Sequence, residues 1–201
     1  MTNTALILRD PTLMLQSTLA AWRAHASAPG GNAGLWVFGY ASLIWRPEFS
    51  FTEKRPARVR GWHRALHMWS RINRGTPDCP GLVFALLSGG SCQGVVFHIP
   101  HNAVPSVMAQ LWHREMPSGV YDPRWLRCTT PQGDVQALAF TLSRSSPHYC
   151  GALKDAQYTQ IFKDACGRYG TTLDYVQQTY DGLLREGIHD VKLKMLLDRV
   201  R

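Results

Sequence analysis

A glutamate closes the stretch "VPSVMAQLWHRE" (104–115). Val104, Val107, Met108, Leu111 and Trp112 keep the i, i+3, i+4, i+7, i+8 spacing of one buried helical stripe, and the next member of that series is Glu115. Met116 and a terminating Pro117 follow. Two readings compete. In one, the helix frays at the proline and the carboxylate escapes to solvent, or pairs with Arg114 or Arg124. In the other, the carboxylate sits in an apolar-walled pocket. Burial there disfavours its charged form and raises its pKa. A carboxyl group poised nearer neutrality can take a proton and return it, as a general acid–base must.

A second candidate is "VFGYASLIW" (37–45). Gly39 and Ala41 are small residues at a strand end, where a ligand can approach the backbone closely. Consecutive N–H groups in such a turn form an anion-binding concavity; an ordinary barrel corner accounts for the same residues. Ser42 lacks the G-x-S-x-G setting of a nucleophile elbow. Tyr121 lies just beyond the Glu115 helix, while Tyr149 and Tyr175 stand further along; each also suits an amphipathic core edge. His98 and His101 are three apart across Pro100, without an H-E-x-x-H pattern or an acidic cluster, so no metal site is expected. His113 falls on a different helix face from Glu115.

The elements that must position these groups can be read in order. Asp10-Pro11 is an N-cap with proline at the first helical position, and the helix should run to about Ala28, where "APGGNAG" breaks it. "LWVFGYAS" is a strand entering a tight turn at Ala41-Ser42, and 57–70 is a long strand with a possible bend at Gly61. "GLVFALL" and "GVVFHIP" flank "SGGSCQ", which predicts a hairpin. A second hairpin pairs "RWLRCTT" with "VQALAFTLS" across "PQGD". The tail predicts helices over about 154–169, 172–186 with Gly187 as a C-cap, and 190–200. Roughly six strands, one inserted helix and three terminal helices do not alternate as βαβ units. The expected fold class is α+β: a small, mostly antiparallel β-barrel with peripheral helices. Residues 1–34 form an N-terminal helical extension and 35–201 a single domain.

Composition narrows the function classes. The 201 residues are 45% apolar and 18% charged, which suits a globular core. No apolar run approaches the roughly 18–20 residues of a membrane span, and the N-terminus lacks the pattern of a signal peptide. Cys79, Cys92, Cys128, Cys150 and Cys166 are odd in number, widely spaced and free of C-x-x-C, which fits free thiols in a reducing cytoplasm. The net charge of +8 fits either nucleic-acid binding or a solvated basic surface that favours an anionic small substrate; the basic residues are spread out and no nucleic-acid motif occurs, which favours the second.

"WVFGYASLIWRPEF" (36–49) and "LWHREMPSGVYDPRW" (111–125) together closely resemble the ChaC family of γ-glutamylcyclotransferases. "RVRGWHRALHMWSRINRGT" (58–76) and "GTTLDYVQQTYDGLLREGI" (170–188) fall in the family's order, so the resemblance covers about 35–190. It implies a small barrel with peripheral helices and cleavage of glutathione to 5-oxoproline and cysteinylglycine without a cofactor. It implies that Glu115 is the catalytic glutamate and that Val37, Phe38, Gly39, Tyr40, Ala41 and Ser42 form the substrate-cradling turn. Tyr121 and Tyr175 match tyrosines that line the family's pocket. The backbone N–H groups of 39–43, Leu43 included, would hold the α-carboxylate or the developing oxyanion.

Ala41 departs from the family's Gly-Tyr-Gly-Ser turn. Were a positive φ required there, alanine would cost on the order of 1 kcal/mol; otherwise its methyl only narrows the pocket floor. The alternatives are a cyclotransferase for other γ-glutamyl amino acids or amines, and a non-catalytic basic binding protein on the same fold. The expected partner is glutathione alone, with no nucleic acid, membrane or metal, for a cytoplasmic monomer or weak dimer.

Overall fold

Asp10 caps the first helix as its sequence predicts, accepting from the Thr12 N–H at 2.8 Å and also from that of Leu13. Helix α1 spans Pro11–Ala26. The computed structural model describes residues 10–27, 34–117 and 119–199. The predicted helix-breaking segment therefore lies outside the described residues except for Gly34. Helix α1 packs on α3, Val104–Glu115, where the Trp112 indole donates to Pro11 O at 2.7 Å.

Five strands close into a barrel in the order β1-β3-β2-β4-β5. They are β1 (Leu35–Gly39), β2 (Glu53–Ser70), β3 (Gly81–Ile99), β4 (Asp122–Thr130) and β5 (Gly133–Thr141). Every pairing is antiparallel except the one that closes the ring, where Trp36 and Val37 of β1 run parallel to Ala137 and Leu138 of β5. The fold class predicted from sequence holds.

One predicted element is corrected. "SGGSCQ" is not a hairpin turn, because Gly81–Ile99 is one continuous strand. Both would-be arms pair with β2, from Glu53↔His98 at one end to Ser70↔Gly81 at the other. Gly89 and Gly90 take φ of 97° and 74° within the strand, opposite the β2 bend, where Gly61 has φ 79° and the register shifts between Arg60 and Trp62. Left-handed glycines here bend a two-stranded ribbon instead of reversing it. The bend expected at Gly61 is present, and six predicted strands become five.

The second hairpin forms as predicted, with Thr130 opposite Gly133. The first tail helix is shorter than expected. Helix α4 (Asp155–Asp164) gives way to a small ribbon, β6 (Cys166–Gly167) paired with β7 (Gly170–Thr171). Helix α5 (Thr172–Arg185) has a reciprocal Thr171/Asp174 cap, and Gly187 beyond its end has φ 71°. Helix α6 spans Val191–Arg199.

The core fills the barrel and the spaces beneath α3 and α5. Phe38, Leu82, Leu86, Val96, Phe97, Leu138 and Phe140 are at most 2% exposed. Burial of each such side chain contributes about 1.5–3 kcal/mol. All five residues of β1 are buried, which makes this strand a fixed mount for the turn that follows it.

Candidate active site

The α3 stripe packs as its spacing requires: Val104, Val107, Met108, Leu111 and Trp112 are all buried. Trp112 meets Phe140 edge-on, with centroids 5.6 Å apart. Glu115 is the last residue of this helix, and Met116 behind it is completely buried. The Glu115 side chain keeps 16% of its exposure, so it lies at the wall of the core. Burial raises its pKa above the ordinary carboxylate value, and the charge and hydrogen bond of Arg114 pull it part of the way back.

Glu115 is paired with its sequence neighbour, Arg114 Nε to Glu115 Oε1 at 2.9 Å. The same guanidinium donates to Ser42 Oγ at 3.1 Å and to Glu48 Oε2 at 3.0 Å, and also to Arg46 O. One planar, permanently charged group thus ties the end of α3 to the segment after β1. The hydrogen-bond partner of Ser42 is this guanidinium, which cannot serve as a base.

The predicted turn is the start of a single-turn helix, α2, Ser42–Trp45, with no side-chain cap on its first N–H groups. Ala41 precedes it with φ −145°, so this position makes no demand for a left-handed backbone and alanine occupies it without that cost. Gly39 is closely packed: an added Cβ would stand 3.1 Å from both Leu43 Cβ and Phe97 Cε2. Val37 and Phe38 are wholly enclosed, so their contribution is the strand that carries the turn.

Three tyrosines surround this end of the barrel, each less than 9% exposed: Tyr40, Tyr121 and Tyr175. Burial first, and the nearby Glu115 charge among the further causes, raises the pKa of all three phenols, so each is a neutral hydroxyl. The Tyr40 hydroxyl donates to Phe140 O at 3.1 Å, and the neighbouring Tyr121 is among the groups that shift its proton affinity. The Tyr175 hydroxyl accepts from the Phe84 N–H at 3.2 Å, beneath the Arg74 guanidinium, which lies 5.1 Å from the ring centroid. The structure therefore brings Glu115, Tyr40, Tyr121 and Tyr175 within electrostatic reach of one another, with Ser42 joined to them through Arg114.

Sequence reasoning treated Arg114 only as a possible ion-pair partner, and it overlooked Arg64 and Asp190. Arg64 Nη1 donates to Tyr40 O at 2.7 Å and to Gln93 O at 3.1 Å, while Nη2 pairs with Asp190. The available signal was a lone arginine in the apolar half of a strand, within "GWHRAL". Of the other candidates, Tyr149 stacks edge-on with His67, and the ring of His98 lies against Trp36. Among the described residues no group of three His, Cys, Asp or Glu side chains could hold a metal ion. Part of the basic charge gathers in a groove of about 1100 Å³ between the β2–β3 ribbon and α6, with Arg58, His63, Arg144 and Lys192 on its walls beside Arg64 and Asp190.

The small closed barrel with its peripheral helices is of the γ-glutamylcyclotransferase type of fold, as solved structures show. A crystal structure of a γ-glutamylcyclotransferase specific to glutathione from yeast superposes with a TM-score of 0.76, over 84% of this chain and 96% of that one, at 22% identity. The ChaC-like protein family model matches residues 35–201, and the chain belongs to that family. The chain is 33% identical over 168 residues to the glutathione-specific γ-glutamylcyclotransferase of Escherichia coli (strain K12), covering 83% of this chain and 73% of that one. It is also 33% identical over 159 residues to glutathione-specific γ-glutamylcyclotransferase 1 of Homo sapiens, covering 76% and 71%.

Proposed function

We propose that this protein is a glutathione-specific γ-glutamylcyclotransferase, releasing 5-oxoproline and cysteinylglycine, with residues 35–201 as its catalytic unit and Glu115 as the acid–base. The glutamyl group carries its own nucleophile, the α-amine. Attack on the γ-carbonyl forms the ring C–N bond, and the bond from that carbon to the cysteinyl nitrogen breaks. The α-ammonium gives up two protons, one to free the attacking lone pair and one as the ring C–N bond forms; one is delivered to the departing nitrogen, which leaves as the amine, and the other passes to solvent. A single carboxylate standing between the two nitrogens serves both transfers, help that is typically worth about 10²–10⁴ in rate. Folding the substrate back into a near-attack geometry contributes several kcal/mol more.

The observation that carries this reading is the Arg114 bridge, which joins Glu115 to Ser42 at the turn. In this reading the bridge links the acid–base carboxylate to the turn whose N–H groups, on a helix start without a side-chain cap, suit the substrate α-carboxylate or the oxyanion. Tyr121 and Tyr175 supply neutral hydroxyl contacts to the glutamyl group. The bacterial and human relatives, glutathione-specific γ-glutamylcyclotransferases by name, support glutathione as substrate. Among the described residues no helix is long and apolar enough to cross a membrane, and all five cysteines are free, which suits work in the reducing cytoplasm where glutathione is abundant.

The test is incubation with glutathione and detection of 5-oxoproline and cysteinylglycine, with and without a chelator. Equal product in both arms supports the reaction and its independence of metal; no product in either arm refutes it. γ-Glutamylalanine and γ-glutamyl-lysine, run in parallel, set the substrate range.

A further inference from the structure

We infer that Arg64 is a positioning residue that aims the Tyr40–Ala41 peptide of the substrate-holding turn, an inference that rests on the cyclotransferase reading. Arg64 lies in β2 with its side chain 5% exposed. Nη1 reaches Tyr40 O at 2.7 Å, across from β2 to the end of β1. Nη2 is held by Asp190, whose other oxygen accepts from the Leu193 N–H at 3.0 Å and so starts α6. Burial opposes the Asp190 charge, but Arg64 outweighs it and holds the carboxyl below its usual range. The pair is therefore ionised.

A buried ion pair is a poor means of stabilising a barrel, because packed apolar residues commonly do as well. This one also leaves Arg64 Nε enclosed without a partner. What an apolar side chain could not supply is a donor on the Tyr40 carbonyl. A trans peptide is planar, with its C=O and N–H pointing in opposite directions. Fixing the Tyr40 carbonyl toward Arg64 therefore turns the Ala41 N–H to the other side of the strand end. That N–H is one of the turn groups assigned to the substrate. Arg64 touches neither substrate nor reacting atoms; it acts through this peptide, and Asp190 acts through Arg64.

The test compares Arg64→Met, Arg64→Lys and Asp190→Asn with the unmodified protein on glutathione, scoring KM and kcat separately alongside Tm. Arg64→Met should raise KM about tenfold or more, the scale of one lost charge-assisted hydrogen bond. Arg64→Lys keeps a cationic donor and should recover most of the loss. Asp190→Asn leaves Arg64 unpinned and should raise KM about threefold. A lower Tm with unchanged KM in these variants would make Arg64 a structural residue and overturn the inference. Should Arg64→Met fail to fold, the Asp190→Asn KM decides in the same way. Direct titration of glutathione into Glu115→Gln, with and without Arg64→Lys or Asp190→Asn, isolates binding from chemistry. If the unmodified protein makes no 5-oxoproline, the functional reading fails. If it does and every Arg64 and Asp190 variant keeps its KM, only the positioning role fails.

Discussion

Arg114 and Glu115 are consecutive residues, yet the guanidinium of one turns back to meet the carboxylate of the other at 2.9 Å while also donating to Ser42 Oγ. The pairing sets the proton affinity of Glu115, because Arg114 is what opposes the burial that raises it. Removing the positive charge should raise the Glu115 pKa further. The acid limb of the kcat/KM profile for glutathione should then move to higher pH in Arg114→Met, and by less in Arg114→Lys. A limb that stays in place in both variants would remove Arg114 from control of this carboxylate.

Glu115→Gln should keep the fold and lower 5-oxoproline formation by about 10²–10⁴, the range for loss of an acid–base group. Wild-type turnover in that variant would end the assignment.

The same group makes a prediction about stability. A carboxyl whose folded pKa lies above its unfolded one takes up protons on folding. Its favourable contribution is complete below the unfolded pKa and is lost as pH rises through the folded one. Glu115→Gln should therefore gain in Tm relative to the parent on going from about pH 4 to pH 7. The reverse trend would show that the native site prefers the charged form.

Tyr175→Phe and Tyr121→Phe should separate structure from activity. The first leaves the buried Phe84 N–H without its acceptor, at a cost of about 1–3 kcal/mol in urea unfolding. The second removes a buried hydroxyl that lies near Glu115, Tyr175 and Tyr40 and, among the described residues, does not hold a backbone N–H in the way Tyr175 does. It should lower kcat/KM for glutathione with a smaller loss of stability.

Ala41→Gly restores the residue that the family uses, and it should not stabilise the protein. With φ −145° at this position there is no left-handed strain for glycine to relieve, and its backbone entropy cost is about 0.5–1 kcal/mol. A rise in the urea midpoint would contradict this account of the turn.

The helix that delivers Glu115 was legible in sequence because its buried stripe is a local property, fixed by five apolar residues at helical spacing. The β3 strand was not. Gly89-Gly90 between two apolar runs has the composition of a turn, and only the partner strand decides otherwise, by pairing with both runs. The end of α4 was misplaced for a related reason, since Cys166–Gly167 pairs with Gly170–Thr171 in a ribbon too short to leave a period. Arg64 was overlooked because its meaning lies in Tyr40 and Asp190, 24 and 126 residues away along the chain. Position 41 was readable as a departure from the family but not as a harmless one until its φ was known.

The parallel seam between β1 and β5 bears on how the chain is made. The Tyr40 hydroxyl finds its acceptor at Phe140, 100 residues downstream. At a synthesis rate of about 5–20 residues per second, that acceptor leaves the ribosome roughly 5–20 s after the tyrosine does. Throughout that interval "LWVFG" presents a bare, wholly apolar edge, which is the kind of edge that invites wrong partners. The strand that precedes the Tyr40 turn is thus a segment of the nascent chain on which chaperone cover would act, until β5 arrives to close the barrel.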